Sequence, residues 1–463
     1  MNKNLKLTFL ADTHHYSQTL GITGKAYELR SGSDQKCLAE TGAIIDAAFE
    51  KIAKSDTDAV LIAGDLSNDG ELVCHKEFRE KLYELQKSKP VYVIYATHDW
   101  CCDGNPRRFD GDKVSNDVET VSHENLRDFY RDFGPDRAFD EFTTHLGTTS
   151  YAVNLNEHVI LLGLNDDQNG RGGSGFSEEH FKWIEKTVAD AKAQGKLVIS
   201  MQHHLLIAHI HKLITGGGTS VQDNEIVANR MADAGIRYSF VGHSHMLDTA
   251  KITSPAGNTL TEVNIGSLCG YPAPIVNVTV NDDDTLTVDV DYLDSFTYNN
   301  QPVDAQQYLK EHLYAMVDRI LEGAAYGDKQ TFIERFDAMQ LKGEKLVKFR
   351  IPIKLVAKFL LNGKAKTACR IVNLITLGKA VDKKAVKSLG NKKIVDFIHE
   401  VLLSVFDGAR YRHLPDSDYY KAVTGVIRTP SILVKDNKIL KQINEIIHIL
   451  VAGTELNVYP TVI

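Results

Sequence analysis

An α/β domain followed by an all-helical domain is the architecture this sequence predicts. Two patterns carry the prediction. Over residues 1–296, short apolar β-branched runs alternate with helical periodicity, as in βαβ units. After Thr297-Tyr298-Asn299-Asn300-Gln301-Pro302 the alternation gives way to successive helices, which suggests a separate bundle over 303–463. Length agrees, because 463 residues exceed the size at which single cores stop growing.

The elements follow in order. Leu5–Ala11 is an apolar run that ends in Asp12-x-His14, and a helix is expected over Cys37–Lys54. Ala59–Ala63 ends in Gly64-Asp65, a helix over Glu71–Ser88 follows, and Val91–Ala96 ends in Thr97-His98-Asp99. From Trp100 to Thr149 the alternation lapses into a polar stretch that includes Arg107 and Arg108. Loops that long are functional or disordered; following His98-Asp99 directly, the two arginines are candidates for substrate-phosphate contacts, against the plain reading of a solvated loop. Cys101-Cys102 is a candidate redox-sensitive pair in the same stretch, or an incidental one.

Tyr151–Asn165 reads as a hairpin around Asn156-Glu157. Gly170–Gly175 lacks the Gly-Lys-Ser/Thr of a nucleotide loop and reads as a tight connection before a helix, Glu178–Ala193. Leu197–Met201 ends in His203-His204, and the following Leu205–Gly218 carries His209 and His211, which either line a site or are incidental. Ile236–Val241 ends in Gly242-His243-Ser244-His245, and Ile275–Tyr292 is a hairpin across Asn281–Asp284 that closes the first domain. Helices are then expected over Ala305–Ala325, Lys329–Met339, Lys345–Leu361, Ala368–Leu377 and Ile394–Phe406, with Pro352 interrupting or kinking the third.

Five apolar runs thus deliver Asp or His at their ends. In an open α/β sheet such ends converge on one crevice, where ligands bind. Asp12 and His14, two apart on extended chain, share a face, and so do His243 and His245. Carboxylate and imidazole together suit divalent Zn, Mn or Fe, and no cysteine in the set biases it toward a structural zinc site.

At these residues the chain resembles the calcineurin-like metallophosphoesterases, over roughly residues 5–270. The resemblance implies a four-layer αββα sandwich, two mixed sheets flanked by helices, with a dinuclear metal centre on one edge. Carried onto this sequence, Asp12, His14 and His245 would hold one divalent cation, His203 (the first of its His-His pair) and His243 the second, with Asp65 bridging. Thr97 stands where the family has Asn, and a hydroxyl is a shorter, poorer donor than an amide oxygen, so the second site is expected to be weak, completed by water or differently ligated. A bridging water acidified by two cations would attack phosphorus. His98 would protonate or stabilise the leaving oxygen, and Asp99 would orient His98. The implied function is hydrolysis of cyclic nucleotides or other small phosphodiesters; a phosphomonoesterase or nucleotidase is the runner-up, and a scaffold without turnover the non-enzyme alternative.

A formal charge of −8 and a pI near 6.1 argue against nonspecific nucleic-acid binding. No apolar run is long enough to span a membrane, and six cysteines make no disulfide framework, so the expected location is the cytoplasm. One segment departs from the acidic whole. From Lys342 to Lys393, fifteen Lys or Arg face two acids, a net +13 that leaves −21 for the rest. That asymmetry points to an anionic partner or to docking of the basic bundle on the acidic domain, the second being favoured. Lys345–Phe359 mixes Leu, Val, Phe and Ile with Lys in the manner of an interfacial helix.

Overall fold

Residues 4–209, 218–338, 342–411, 417–434, 440–441, 444 and 458–463 are described here, from a computed structural model. The strands of the first half are β1 (Lys6–Leu10), β2 (Ala59–Ala63), β3 (Val91–Ile94), the ribbon β4 (Arg108–Asp110) and β5 (Lys113–Ser115), β6 (Asp140–Thr143), β7 (Thr149–Asn154) and β8 (Val159–Gly163). They continue with β9 (Leu197–Met201), β10 (Tyr238–Val241), β11 (Leu247–Thr253), β12 (Thr259–Ile265), β13 (Pro274–Val280), β14 (Leu286–Tyr292), the ribbon β15 (Ser295–Tyr298) and β16 (Gln301–Asp304), and β17 (Thr461–Val462).

Two mixed sheets result, in the orders β17-β14-β13-β1-β2-β3 and β11-β12-β10-β9-β8-β7-β6. β1, β2 and β3 run parallel in the first sheet, and β8, β9, β10 and β12 in the second. β2 (AVLIA) and β8 (VILLG) are unbroken apolar runs because they are buried on both faces. Between the sheets lies the core: Leu7, Phe9, Leu61 and Ile94 from one, Tyr151, Leu161, Ile199, Phe240 and Val263 from the other. The Phe9 and Phe240 rings stack with centroids 3.8 Å apart. Truncating either to Ala would cost about 3–5 kcal/mol. Helices Glu178–Ala193 and Asn224–Ala234 bury Ile184, Val188, Val227 and Met231 with Ile160, Leu162 and Val198 on the outer face of the second sheet. Helices Thr41–Ala53 and Leu72–Gln86 connect β1 to β2 and β2 to β3, burying Ile44, Ile45, Phe78 and Leu82. The order helix, sheet, sheet, helix is the four-layer sandwich.

The chain divides into two compact units: Met1–Tyr27, Lys36–Lys310 and Leu456–Ile463 form one, Glu28–Gln35 and Glu311–Glu455 the other. β17 pairs antiparallel with β14, so the last strand belongs to the first unit's sheet. The second unit is helical, with helices Lys329–Ala338, Arg350–Asn362, Ala365–Ile375, Lys383–Ser388, Ile394–Phe406 and Asp418–Ile427 around small cores such as Ala365, Cys369, Val381 and Ala385.

Two sequence expectations change. The stretch from Trp100 to Thr149 is not plain loop: it holds the β4–β5 ribbon, helix His123–Phe129 and β6, too short or too exposed to show a period. The helix expected over Lys345–Leu361 is broken before Pro352 rather than at it. A turn at Gly343–Leu346 and a 3-10 turn at Val347–Phe349 precede a fresh helix from Arg350, whose first turn holds Pro352, where its missing N–H costs nothing. Met339 and His211 lie outside the described residues.

Candidate metal centre

The parallel strands of both sheets end on one edge. β1 delivers Asp12 and His14, β2 Asp65, β3 Thr97 and His98, β9 His203, and β10 His243 and His245. The turns carrying them are tied together by backbone bonds: Asp12 N–H donates to Gly64 O (3.1 Å), His14 N–H to Asp65 O (2.9 Å) and Gly242 N–H to His203 O (3.1 Å). The fit is close. A Cβ on Gly242 would lie 2.5 Å from Asp12 Oδ2, and one on Gly64 2.9 Å from His203 Nδ1, so both glycines are steric requirements of the site.

Asp12, His14, Asp65, His243 and His245 all have positive φ, at 51°, 39°, 51°, 66° and 58°. L-residues rarely adopt this conformation, and it costs about 1–3 kcal/mol each when imposed. Five such residues in one cluster mark a place where side-chain direction outweighs backbone comfort.

The donor atoms form three groups linked in a chain: Asp12, His14 and His245; then His14, Asp65 and His98; then Asp65, His203 and His243, with His14 common to the first two and Asp65 to the last two. In the first, His14 Nε2 is 3.1 Å from His245 Nε2, and Asp12 Oδ1 is 3.6 and 3.4 Å from these nitrogens. In the last, His203 Nε2 is 3.0 Å from Asp65 Oδ2 and 3.2 Å from His243 Nδ1. Ligand atoms bound at about 2.1 Å to one cation lie roughly 3.0–3.4 Å from each other. The residues present therefore fit divalent cations.

Electrostatics points the same way. Burial pushes the His14 imidazole down to about 3, and the Lys36 ammonium adds to that, leaving the neutral form that can ligate. At His203 burial opposes charge, but Asp65 and Asp12 outweigh it and push the ring up to about 10. Burial also works against ionised Asp12 and Asp65, yet His245 beside the first and His203 beside the second hold both carboxyls below the usual carboxylate range.

The two histidines of the pair diverge. His203 donates Nδ1–H to Ala63 O (2.8 Å), leaving Nε2 toward Asp65. His204 turns to Asp166, which accepts from its backbone N–H (2.7 Å) and faces its Nδ1 (3.0 Å). Thr97 shares the turn of His98, and its carbonyl accepts from Cys102 N–H at 3.0 Å.

His98 is held by partners other than the one expected. Its Nδ1 faces Asn68 O and, at 3.2 Å, Asp69 Oδ1. Asp99 does not orient it. Asp99 Oδ1 accepts from Ser67 N–H (2.8 Å) and Ser67 Oγ–H (3.0 Å), and Oδ2 from Ala96 N–H (2.9 Å), so Asp99 ties the β2 turn to the β3 turn. Burial, then the Asp65 charge, pushes its carboxyl up to about 6. Arg107 pairs with the same Asp69 and, at 3.1 Å, with Asp103. Arg108 lies exposed on β4. Cys101 and Cys102 are pushed up to about 12 and about 11 by burial and Asp103, which keeps both as thiols.

Sequence reasoning missed Asn68, Asp69, Asp166 and Lys36. Asp166 was findable, since it follows β8 just as the others follow their strands. Asn68 and Asp69 follow Gly64-Asp65 closely enough to have been suspected. Lys36, buried and felt electrostatically by His14 and His98, has no strand-end signal.

The family model for calcineurin-like phosphoesterases matches residues 5–247, just over half of the chain. The chain belongs to that family. Within it, this chain is 25% identical over 206 residues to the "Probable glycerophosphodiester phosphodiesterase GpdQ" of Arcobacter nitrofigilis, an alignment covering 42% of this chain and 59% of that protein. Among solved structures it resembles a dimetal phosphatase from Danio rerio (10% identity, 65% of this chain and 99% of that one, TM-score 0.43). A purple acid phosphatase from yellow lupin matches at 12% identity, over 66% of this chain and 53% of that one, with a TM-score of 0.40. Among the described residues, no helix is long and apolar enough to cross a membrane.

Proposed function

We propose that this chain hydrolyses a small phosphodiester with the help of two divalent cations, Mn, Fe or Zn, held by Asp12, His14 and His245 on one side and His203 and His243 on the other, with Asp65 shared. The observation that carries this reading is the chain of three overlapping donor groups, in which buried Asp65 belongs with His203 and His243 and also lies 3.8 Å from His14 Nε2 of the Asp12 group. Bound cations would supply an acidified water and neutralise charge on the phosphoryl oxygens. The chain's own residues do the rest. Asp65 holds His98 N–H through Oδ1 (3.0 Å), which keeps the acid next to the shared carboxylate. Asn68 O and Asp69 hold Nδ1, so Nε2 is the atom from which a proton reaches the leaving oxygen. His98 is 34% exposed, open to a substrate arriving from solvent, while His14 is fully enclosed.

A diester carries one negative charge where a monoester carries two. Asp69 and Asp103 already engage Arg107, and buried Lys36 is the cation whose field reaches His14 and His98. Such surroundings favour the smaller charge, and the glycerophosphodiesterase name of the Arcobacter relative adds weight. Cyclic nucleotides and glycerophosphodiesters are the substrates to try first. Metal analysis of purified protein, with hydrolysis of bis- against mono-p-nitrophenyl phosphate, tests the reading. Faster monoester turnover would move it to a phosphomonoesterase or nucleotidase, and metal binding without turnover to a scaffold.

A further inference from the structure

We propose that helices Arg350–Asn362 and Ala365–Ile375 present a docking face for an anionic lipid surface. In Arg350–Asn362 the apolar positions run right round the helix. Ile353, Ala357 and Leu361 pack with Ala324 and Ala325 on one side. On the other, Ile351, Leu355 and Phe359, spaced i, i+4, i+8 on one stripe, are 75%, 64% and 43% exposed, with Val356 beside them. A surface helix of a soluble domain carries polar residues there. The next helix repeats the arrangement: Cys369 is buried, whereas Ile371, Leu374 and Ile375 are exposed, as is Leu377 just beyond its end. Single exposed apolar side chains need no explanation, but this many on two consecutive helices do.

Charge decides the occupant. The stretch Lys342–Lys393, which contains both helices, carries fifteen Lys or Arg against Glu344 and Asp382. Lys345 and Lys348 before the first helix, Lys364 between the two, and Arg370 and Lys379 around the second are all exposed. Apolar stripes interleaved with long basic side chains are the composition of helices that lie in a membrane interface. A nucleic acid would meet the lysines and leave Leu374 and Leu377 in water. An apolar protein groove would cover the stripes and leave the cations unmatched. An anionic leaflet offers phosphates to the cations and an acyl boundary to the stripes.

The test is sedimentation of the full-length protein with vesicles of phosphatidylcholine alone or mixed with phosphatidylglycerol. The protein should pellet with the mixed vesicles and stay in solution with the neutral ones. It should be released as salt rises, since the Debye length shrinks from about 10 Å at 0.1 M to about 3 Å at 1 M. Leu355→Glu combined with Leu374→Glu should weaken partition roughly tenfold per residue, with hydrolysis of a soluble phosphoester unchanged. Should that variant fail to fold, Lys348→Gln with Arg370→Gln at exposed positions tests the charge half alone. Equal pelleting with neutral vesicles, no pelleting, or unaffected variants would overturn the proposal. So would a concentration-dependent dimer abolished by the same substitutions, which would put a second copy on this face.

Discussion

Asp12, His14 and His245 form one donor group and Asp65, His203 and His243 another, while Thr97, the residue expected to complete the second, lies on the β3 turn. The first group draws both its β1 ligands and His245 from positive-φ backbone, and His14 is fully enclosed. The second is assembled from three strands and leans on a strap. After His203-His204, Leu206 and Ile207 donate backbone N–H to the Glu262 carboxylate (2.9 Å each), and His209 sits between Asp248 Oδ2 (2.8 Å) and Glu262 Oε1 (3.2 Å). A site whose ligands come from one short turn plus a single partner is closed by local geometry. A site assembled from separate strands, with the segment after His204 braced on Glu262 and a hydroxyl expected in place of an amide, depends on more of the fold. The two cation sites should therefore differ in affinity.

The sharpest way to break that asymmetry is to remove what the two halves share. Asp65→Ala should empty both sites and reduce turnover to background, read by metal analysis and hydrolysis together; retention of two metals with near wild-type rate would take Asp65 out of the bridge. His98→Ala should leave both metals in place and slow hydrolysis by about 10²–10⁴-fold, most for poor leaving groups. An equal loss for all leaving groups would mean that His98 stabilises charge without giving a proton.

Smaller effects separate the halves. Wild-type protein should keep one cation through dialysis and lose the other, with activity rising as Mn is returned, and Thr97→Asn should tighten the weaker site. Two firmly held metals, unchanged in the variant, would show that water or another group completes the second half. The strap adds a pH signature. Burial opposes a charged His209, but Asp248 and Glu262 outweigh it and raise the ring from 6.5 to about 9. A raised histidine contributes stability fully below its unfolded value and loses it as pH climbs through the folded one. Melting temperature should thus fall between pH 6.5 and about 9, and His209→Gln should flatten that slope. A parallel slope in the variant would assign the loss to other groups.

Much of this could be read without coordinates. β7–β8 and β13–β14 are the hairpins expected from Tyr151–Asn165 and Ile275–Tyr292, and helix Glu178–Ala193 has the expected ends, its Ser177 side chain capping His180 N–H. Strands buried on both faces and amphipathic helices advertise themselves by period. The β4–β5 ribbon and β6 escaped, because three- and four-residue strands with exposed positions have no period to detect.

By itself the sequence determined which residue types stand at the strand ends, because apolar runs of β length stop where Asp and His begin, and that rule is local. Only the tertiary structure decided where those side chains point. His203 faces Asp65 while His204 faces Asp166, since the loop after β8 supplies the second carboxylate. Asp69 rather than Asp99 holds His98, since the β2 turn folds back toward β3 and Asp99 is spent on Ser67 and Ala96. Orientation depends on φ, on neighbouring turns and on partners up to 231 residues away, as for His243 N–H on Asp12. No local window contains them.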